Sequence, residues 1–325
     1  MPASSPEPSV VVLTGASSGI GRATAHAFAR EGADLVLAAR GRDALEAVAA
    51  ECREHGARVL AVPTDVTDAD AVRDLARAAI RRFGGIDVWI NNVGVGAVGR
   101  FDQTPVDAHR RVIESNLIGH IHGAHAVVPH FRNRACGTLV NMISVGGWIA
   151  TPYAASYAAS KFGIRGFSES LRAELNDLPH VHVCDIYPTF VDTPGVSHGA
   201  NYTGRNLRPP PPLLDPRRVA AAVVSVVRSP RPTTTVGAPA LPGRLAHAIA
   251  PNLVAGTMAR AMRGAFDRAD PAPIVDGNLF DASRGHAVDG GFRASPARKA
   301  ATGAAAAAAA AGVAGLLYWW ATRRR

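Results

Sequence analysis

The residues best placed to do chemistry are Tyr157 and Lys161, in the run Tyr157-Ala158-Ala159-Ser160-Lys161. Four residues apart on a helix, they share one face, one turn from each other. An ammonium beside a phenol favours the phenolate, so this spacing predicts a Tyr157 pKa below the usual value of about 10. A phenol tuned in that way can protonate a carbonyl oxygen or take a proton from an alcohol. The plainer reading is a surface tyrosine and lysine that share a face by accident. The lysine count argues against it. Only two of the 35 basic residues are lysines, Lys161 and Lys299. A chain that uses arginine almost everywhere keeps a compact point charge at 161.

The elements around this pair are legible in order. Val10–Leu13 is an apolar run that ends at Thr14-Gly15-Ala16-Ser17-Ser18-Gly19-Ile20-Gly21, and a helical pattern with Ala25, Phe28 and Ala29 follows. A strand, a glycine loop and a helix N-terminus can cradle a pyrophosphate; alone, the motif is equally an ordinary glycine turn. Leu35–Ala39 reads as a second buried strand with Arg40 directly after it. An arginine there suits a ribose 2′-phosphate, unless it is merely solvated. Strands at 58–62, 88–91, 138–144, 181–187 and 233–236 alternate with helical stretches. Asp65 could cap the next helix or contact adenine. Alternation of this kind implies a parallel sheet with helices on both faces, a doubly wound α/β Rossmann fold of seven strands. His120, His122, His125 and His130 fall in a long helical region, 105–131. They read as surface or subunit-contact residues rather than metal ligands.

These signals together make residues 9–237 resemble the classical short-chain dehydrogenase/reductase family. The matching motifs are Thr14–Gly21, Asn91–Gly94, Asn116, Ser144 and the Tyr157/Lys161 pair. The resemblance implies an oxidoreductase that moves a hydride between NADP(H) and a carbonyl or secondary alcohol, NAD being the lesser alternative. It implies Tyr157 as acid/base and Ser144 as holder of the substrate oxygen. Lys161 would lower the Tyr157 pKa and bind the nicotinamide ribose, and Asn116 would position a relay water. The implied coenzyme set is Gly15, Ser17, Ser18, Gly19, Ile20, Gly21, Arg40, Asp65, Val66, Asn92, Tyr157, Lys161 and Val191. Two positions depart from the family pattern: Val93 for alanine, and Thr189 for the glycine after Pro188. The rival functions are a catalytically silent NADP-binding sensor and a membrane-tethered interaction protein.

Composition sets outer limits. The net charge is +9, but residues 292–325 hold six basic residues and no acid, leaving +3 on the rest. That excludes a basic nucleic-acid surface on the body. The partner that the resemblance implies is a small-molecule carbonyl or alcohol substrate. Three cysteines without pairing or metal spacing, and no signal sequence at the start, point to a cytoplasmic body. Residues 1–8 read as a disordered N-terminus. Residues 238–269 read as a helical extension, with one amphipathic helix over 241–266, and 270–299 as a linker rich in Gly, Pro, Asp and Ser. The loop 194–214 is a candidate substrate lid. The extension after Val236 suggests a homodimer. Residues 300–321 carry no charge; as a helix they would span about 33 Å, enough for a hydrocarbon core of about 30 Å. A transmembrane anchor is therefore expected there, against the alternatives of an alanine-rich tail or a helix lying on an anionic surface.

Overall fold

The structure, a computed structural model, describes residues 9–237, 240–283 and 285–293. Seven parallel strands form the centre: β1 (Val10–Thr14), β2 (Asp34–Ala39), β3 (Val59–Pro63), β4 (Val88–Asn91), β5 (Gly137–Met142), β6 (Val181–Pro188) and β7 (Thr233–Val236). Their order across the sheet is β3-β2-β1-β4-β5-β6-β7. Every residue of β1 and β2 is buried, as strands must be when helices cover both faces. Successive side chains go to opposite cores. Val11, Leu13, Leu35 and Leu37 join one apolar cluster; Val12, Val36 and Trp89 join the other.

The helices are α1 (Gly19–Arg30), α2 (Arg42–Glu54), α3 (Ala69–Phe83), α4 (Val106–Ile113), α5 (Gly119–Arg134), α6 (Ala155–Glu174) and α7 (Pro216–Arg228). A π-helical turn, Glu114–Ile118, joins α4 to α5. Asp68, rather than Asp65, caps α3, accepting the N–H groups of Asp70 and Ala71. The strand order reverses between β1 and β4, so their carboxyl ends open a crevice at the switch point. Thr14 pins that crevice. Its hydroxyl donates to Ile90 O at 3.2 Å and accepts the Asn92 N–H at 3.1 Å.

The doubly wound seven-stranded sheet is as the sequence predicts; the parts beyond it differ. The expected single helix over 241–266 is two, α8 (Ala240–Ile249) and α9 (Pro251–Arg268). The break falls at Ala250-Pro251, because proline starts a helix but cannot continue one. The loop 194–214 contains a helical turn, Gly195–His198, and Ala200–Asn201 pairs with Ala97–Val98. Of the stretch read from composition as a linker, 270–299, the described residues up to Gly291 belong to the same compact unit as the sheet. Leu279 is fully buried beside Val95, Ala97, Ala108 and Val112. Glycine- and proline-rich composition excludes regular structure there, but a single leucine anchor and main-chain bonds suffice to dock the segment.

Among the helical histidines, His120 is not at the surface. It is 1% exposed, and burial pulls its pKa down to about 3, so it is neutral. His122 and His130 each bond a backbone group, Val66 O and Ile86 N–H. Among the described residues no helix is long and apolar enough to cross a membrane. The stretch 300–321 on which an anchor was expected lies outside them, as do residues 1–8.

Candidate active site

The glycine loop between β1 and α1 is built for close approach. Gly15 and Gly19 have φ of +66° and +54°, a conformation a side chain would strain. A Cβ on Gly21 would sit 1.9 Å from Gly15 O, so the turn closes only with glycine. Ser18 makes no side-chain cap to α1, so the main-chain N–H groups of the helix N-terminus, of which that of Gly19 donates to Ala287 O at 2.9 Å, are the donors an anion could take. Asn92 braces the loop from β4, its Nδ2 donating to Thr14 O at 3.2 Å and Gly15 O at 3.1 Å. These features fit a dinucleotide pyrophosphate.

The loop lines one wall of a cleft of about 190 Å³. Gly15, Ser17, Ser18, Gly19, Ile20, Gly21, Arg40, Asp65, Val66 and Asn92 all line it. Val191 does not; it lines the adjoining cleft. Asp65 accepts from Thr67 through Oδ1 and from Arg111 Nη2 at 2.7 Å through Oδ2. Burial opposes its charge, but these bonds outweigh it and hold its pKa below the ordinary carboxylate value. Arg40 is the surprise. Nη1 donates to Leu279 O at 3.1 Å and Phe280 O at 3.2 Å, and Nη2 to Asn278 O at 2.6 Å. Asn278, Ala282 and Ser283 complete the cleft wall. Sequence reading missed them, since a Gly/Pro-rich stretch carries no sign of what it covers.

Ser144, just past β5, has φ +133° and ψ 159°, a region populated almost only by glycine and typical of strained functional sites. Its Oγ accepts the Gly146 N–H at 3.1 Å, and it hydrogen-bonds Tyr157. Tyr157 and Lys161 lie on α6, one turn apart as expected. Lys161 is 3% exposed, donates from Nζ to Met142 O at 3.0 Å, and lies 5.7 Å from the Tyr157 ring centroid. The expected drop of the Tyr157 pKa is not found. Burial pushes the phenol up, and only the Ser144 hydrogen bond pulls it down. The physical reason lies with the lysine. Burial without a carboxylate partner lowers its own pKa from 10.5 to about 7, so the cation that should favour phenolate is itself easily discharged.

Asn116 sits in the π turn, wholly buried. Its Oδ1 accepts the Val95 N–H at 2.8 Å, while Nδ2 donates to Val95 O at 2.9 Å and Ser160 Oγ at 3.1 Å. It thereby ties the segment after β4 to α6. Thr189, the departure after Pro188, is accommodated by Gly237: a Cβ there would lie 2.3 Å from Thr189 Oγ1.

Ser144, Tyr157 and Lys161 line a second cleft of about 420 Å³. Ile20, Asn92, Gly94, Val95, Thr193 and Gly195 are common to both clefts, so the two adjoin. The second has mainly apolar walls: Val95, Val98, Val145, Phe190, Leu207, and from α9 Met262 and Phe266.

The family model described as short chain dehydrogenase matches residues 9–201. The uncharacterized oxidoreductase YxnA of Bacillus subtilis is 32% identical over 280 residues, 85% of this chain and 79% of that protein. An alcohol dehydrogenase from Thermococcus sibiricus, solved with 5-hydroxy-NADP, superposes with TM-score 0.62 at 28% identity, covering 71% of this chain and 96% of its own. A short chain dehydrogenase/reductase from Burkholderia phymatum, solved with NAD, superposes with TM-score 0.65 at 26% identity, covering 82% and 98%.

Proposed function

Because the chain belongs to the short-chain dehydrogenase family, we propose that it is an NADP(H)-dependent reductase of apolar ketones or aldehydes, or dehydrogenase of the matching secondary alcohols. The observation that carries this reading is the gathering of Ser144, Tyr157 and Lys161 on one apolar cleft that opens onto the glycine-loop cleft. A nicotinamide coenzyme, when bound, supplies or accepts the hydride. The residues of the chain do the rest. The Ser144 hydroxyl donates to the substrate oxygen and orients it beside the Tyr157 hydroxyl. Tyr157, kept protonated at neutral pH by burial, gives its proton to that oxygen as negative charge develops on it. Lys161, partly protonated at pH 7, stabilises the phenolate left behind. In alcohol oxidation each proton moves the other way.

NADP is favoured over NAD because Arg40 follows β2 directly and still has its Nε–H and one Nη2–H beyond the three bonds to carbonyls; no acid stands at Ala39 to grip a 2′-hydroxyl. An apolar substrate is favoured by the lining of the second cleft, where Met262 and Phe266 bring side chains from beyond the family-matched residues. Tyr157→Phe should lower kcat about 10²–10⁴-fold with coenzyme affinity largely kept. A variant with near-normal kcat on the same ketone would overturn the assignment.

A further inference from the structure

Residues 276–283 border the glycine-loop cleft and residues 285–290 run past the N-terminus of α1, and the two parts are held very differently. The first part is a pivot. Leu279 is fully buried, its carbonyl accepts from Arg111 Nε at 3.0 Å, and Arg40 takes the carbonyls of 278, 279 and 280. The Asn278 N–H donates to His198 O at 2.7 Å. The second part, 285–290, has no buried residue and is held by polar contacts. Ala287 O accepts the Gly19 N–H at 2.9 Å. His286 O accepts from Arg22 Nη1. The Gly290 N–H donates to Asp192 O at 3.1 Å, and Asp289 pairs with Arg217 through two bonds of 3.0 Å and 2.9 Å.

The Gly19 N–H belongs to the first turn of α1, the group of donors that a pyrophosphate requires. With Ala287 O on it, that donor is taken. A dinucleotide that spans this cleft and the adjoining one must place its pyrophosphate on the same donors. We propose that residues 285–290 are a latch on the coenzyme site: the docked segment and a bound dinucleotide compete for the N-terminus of α1, while 278–280 stays anchored as the pivot. The inference rests on the coenzyme reading above and adds its regulation. Coenzyme affinity is then set by the fraction of molecules with the latch open, since apparent Kd is the intrinsic value divided by that fraction. Any partner or condition that lifts 285–290 tightens coenzyme binding, and any that holds it down closes the enzyme.

Two perturbations test this in opposite directions, each read by fluorescence titration of the full chain with NADPH and NADH. A Cβ on Gly41 would lie 3.5 Å from Ala282 Cβ, within the range of about 3.5–4.5 Å for disulfides. The double variant Gly41→Cys/Ala282→Cys therefore fixes the strap at residue 282, three residues before the latch and at two positions that line the cleft, with thiol titration to verify closure. Oxidised, it should bind coenzyme at least tenfold more weakly than the same protein after reduction. Arg217→Ala removes its pairs with Asp289 and Asp215 at a residue that lines neither cleft, and should tighten Kd about two- to fivefold, the scale of the one exposed ion pair it makes to the latch. Losing a positive charge would by itself weaken anion binding, so tightening isolates the latch. Equal affinity of oxidised and reduced staple, or an Arg217→Ala variant that binds no tighter than wild type, overturns the proposal. Folded wild-type protein that binds neither coenzyme overturns the coenzyme reading and the latch with it; binding that ignores the staple overturns the latch alone.

Discussion

Lys161→Met should make the protein more stable at neutral pH while removing its activity. The Lys161 Nζ is buried with one partner, Met142 O at 3.0 Å, and its pKa falls from 10.5 to about 7 on burial. Between those values the unfolded chain binds more protons than the folded one, so stability rises as pH climbs through that window. At pH 7 the lowered pKa corresponds to about 4 kcal/mol against the folded state. Methionine has a similar reach and no charge to desolvate. Losing the bond to Met142 O, and leaving that carbonyl unpaired, returns about 1–2 kcal/mol of the gain. The variant should thus be about 2–3 kcal/mol more stable than wild type at pH 7, with no advantage left near pH 10. Urea denaturation of both proteins at the two pH values, without coenzyme, measures the difference directly. A variant less stable at pH 7, or a gap that does not shrink with pH, would refute the reasoning. The site would then hold its ammonium in a better-solvated position than 3% exposure implies.

Ser144→Gly should relieve the φ of +133°, stabilising the fold by about 1 kcal/mol, yet lower turnover because the Oγ beside Tyr157 is gone; paired melting and rate measurements check both signs. On the proposed NADP reading, Arg40→Asp should move coenzyme preference toward NAD, since it replaces a cation suited to a 2′-phosphate by an anion that repels one. The measurement is the ratio of kcat/KM for the two coenzymes. An unchanged ratio would mean that Arg40 serves only the carbonyls of 278–280.

The sheet and the Tyr157/Lys161 pair were legible in the sequence because both are local. Apolar runs such as Val10–Leu13 and Leu35–Ala39, each followed by a helical period, specify strand-helix units whatever else the chain does. Tyr157 and Lys161 meet because four residues make about one turn of helix, and Gly15, Gly19 and Gly21 mark a loop that tolerates no side chain. The tertiary structure alone decided what lies over that loop. Arg40 meets carbonyls 238 to 240 positions away, and a main-chain carbonyl looks the same at every residue, so no sequence pattern marks which ones an arginine will take. Burial was hidden for the same reason. His120 reads as one polar residue among several on a helix, and only its burial in the folded chain, with the Lys161 charge nearby, pulls its pKa down to about 3. Lys161 was expected to tune Tyr157 through its charge, which its spacing does imply. Whether that charge survives burial depends on the carboxylates, carbonyls and water that the folded chain places around it, and those are distributed by long-range packing rather than by periodicity.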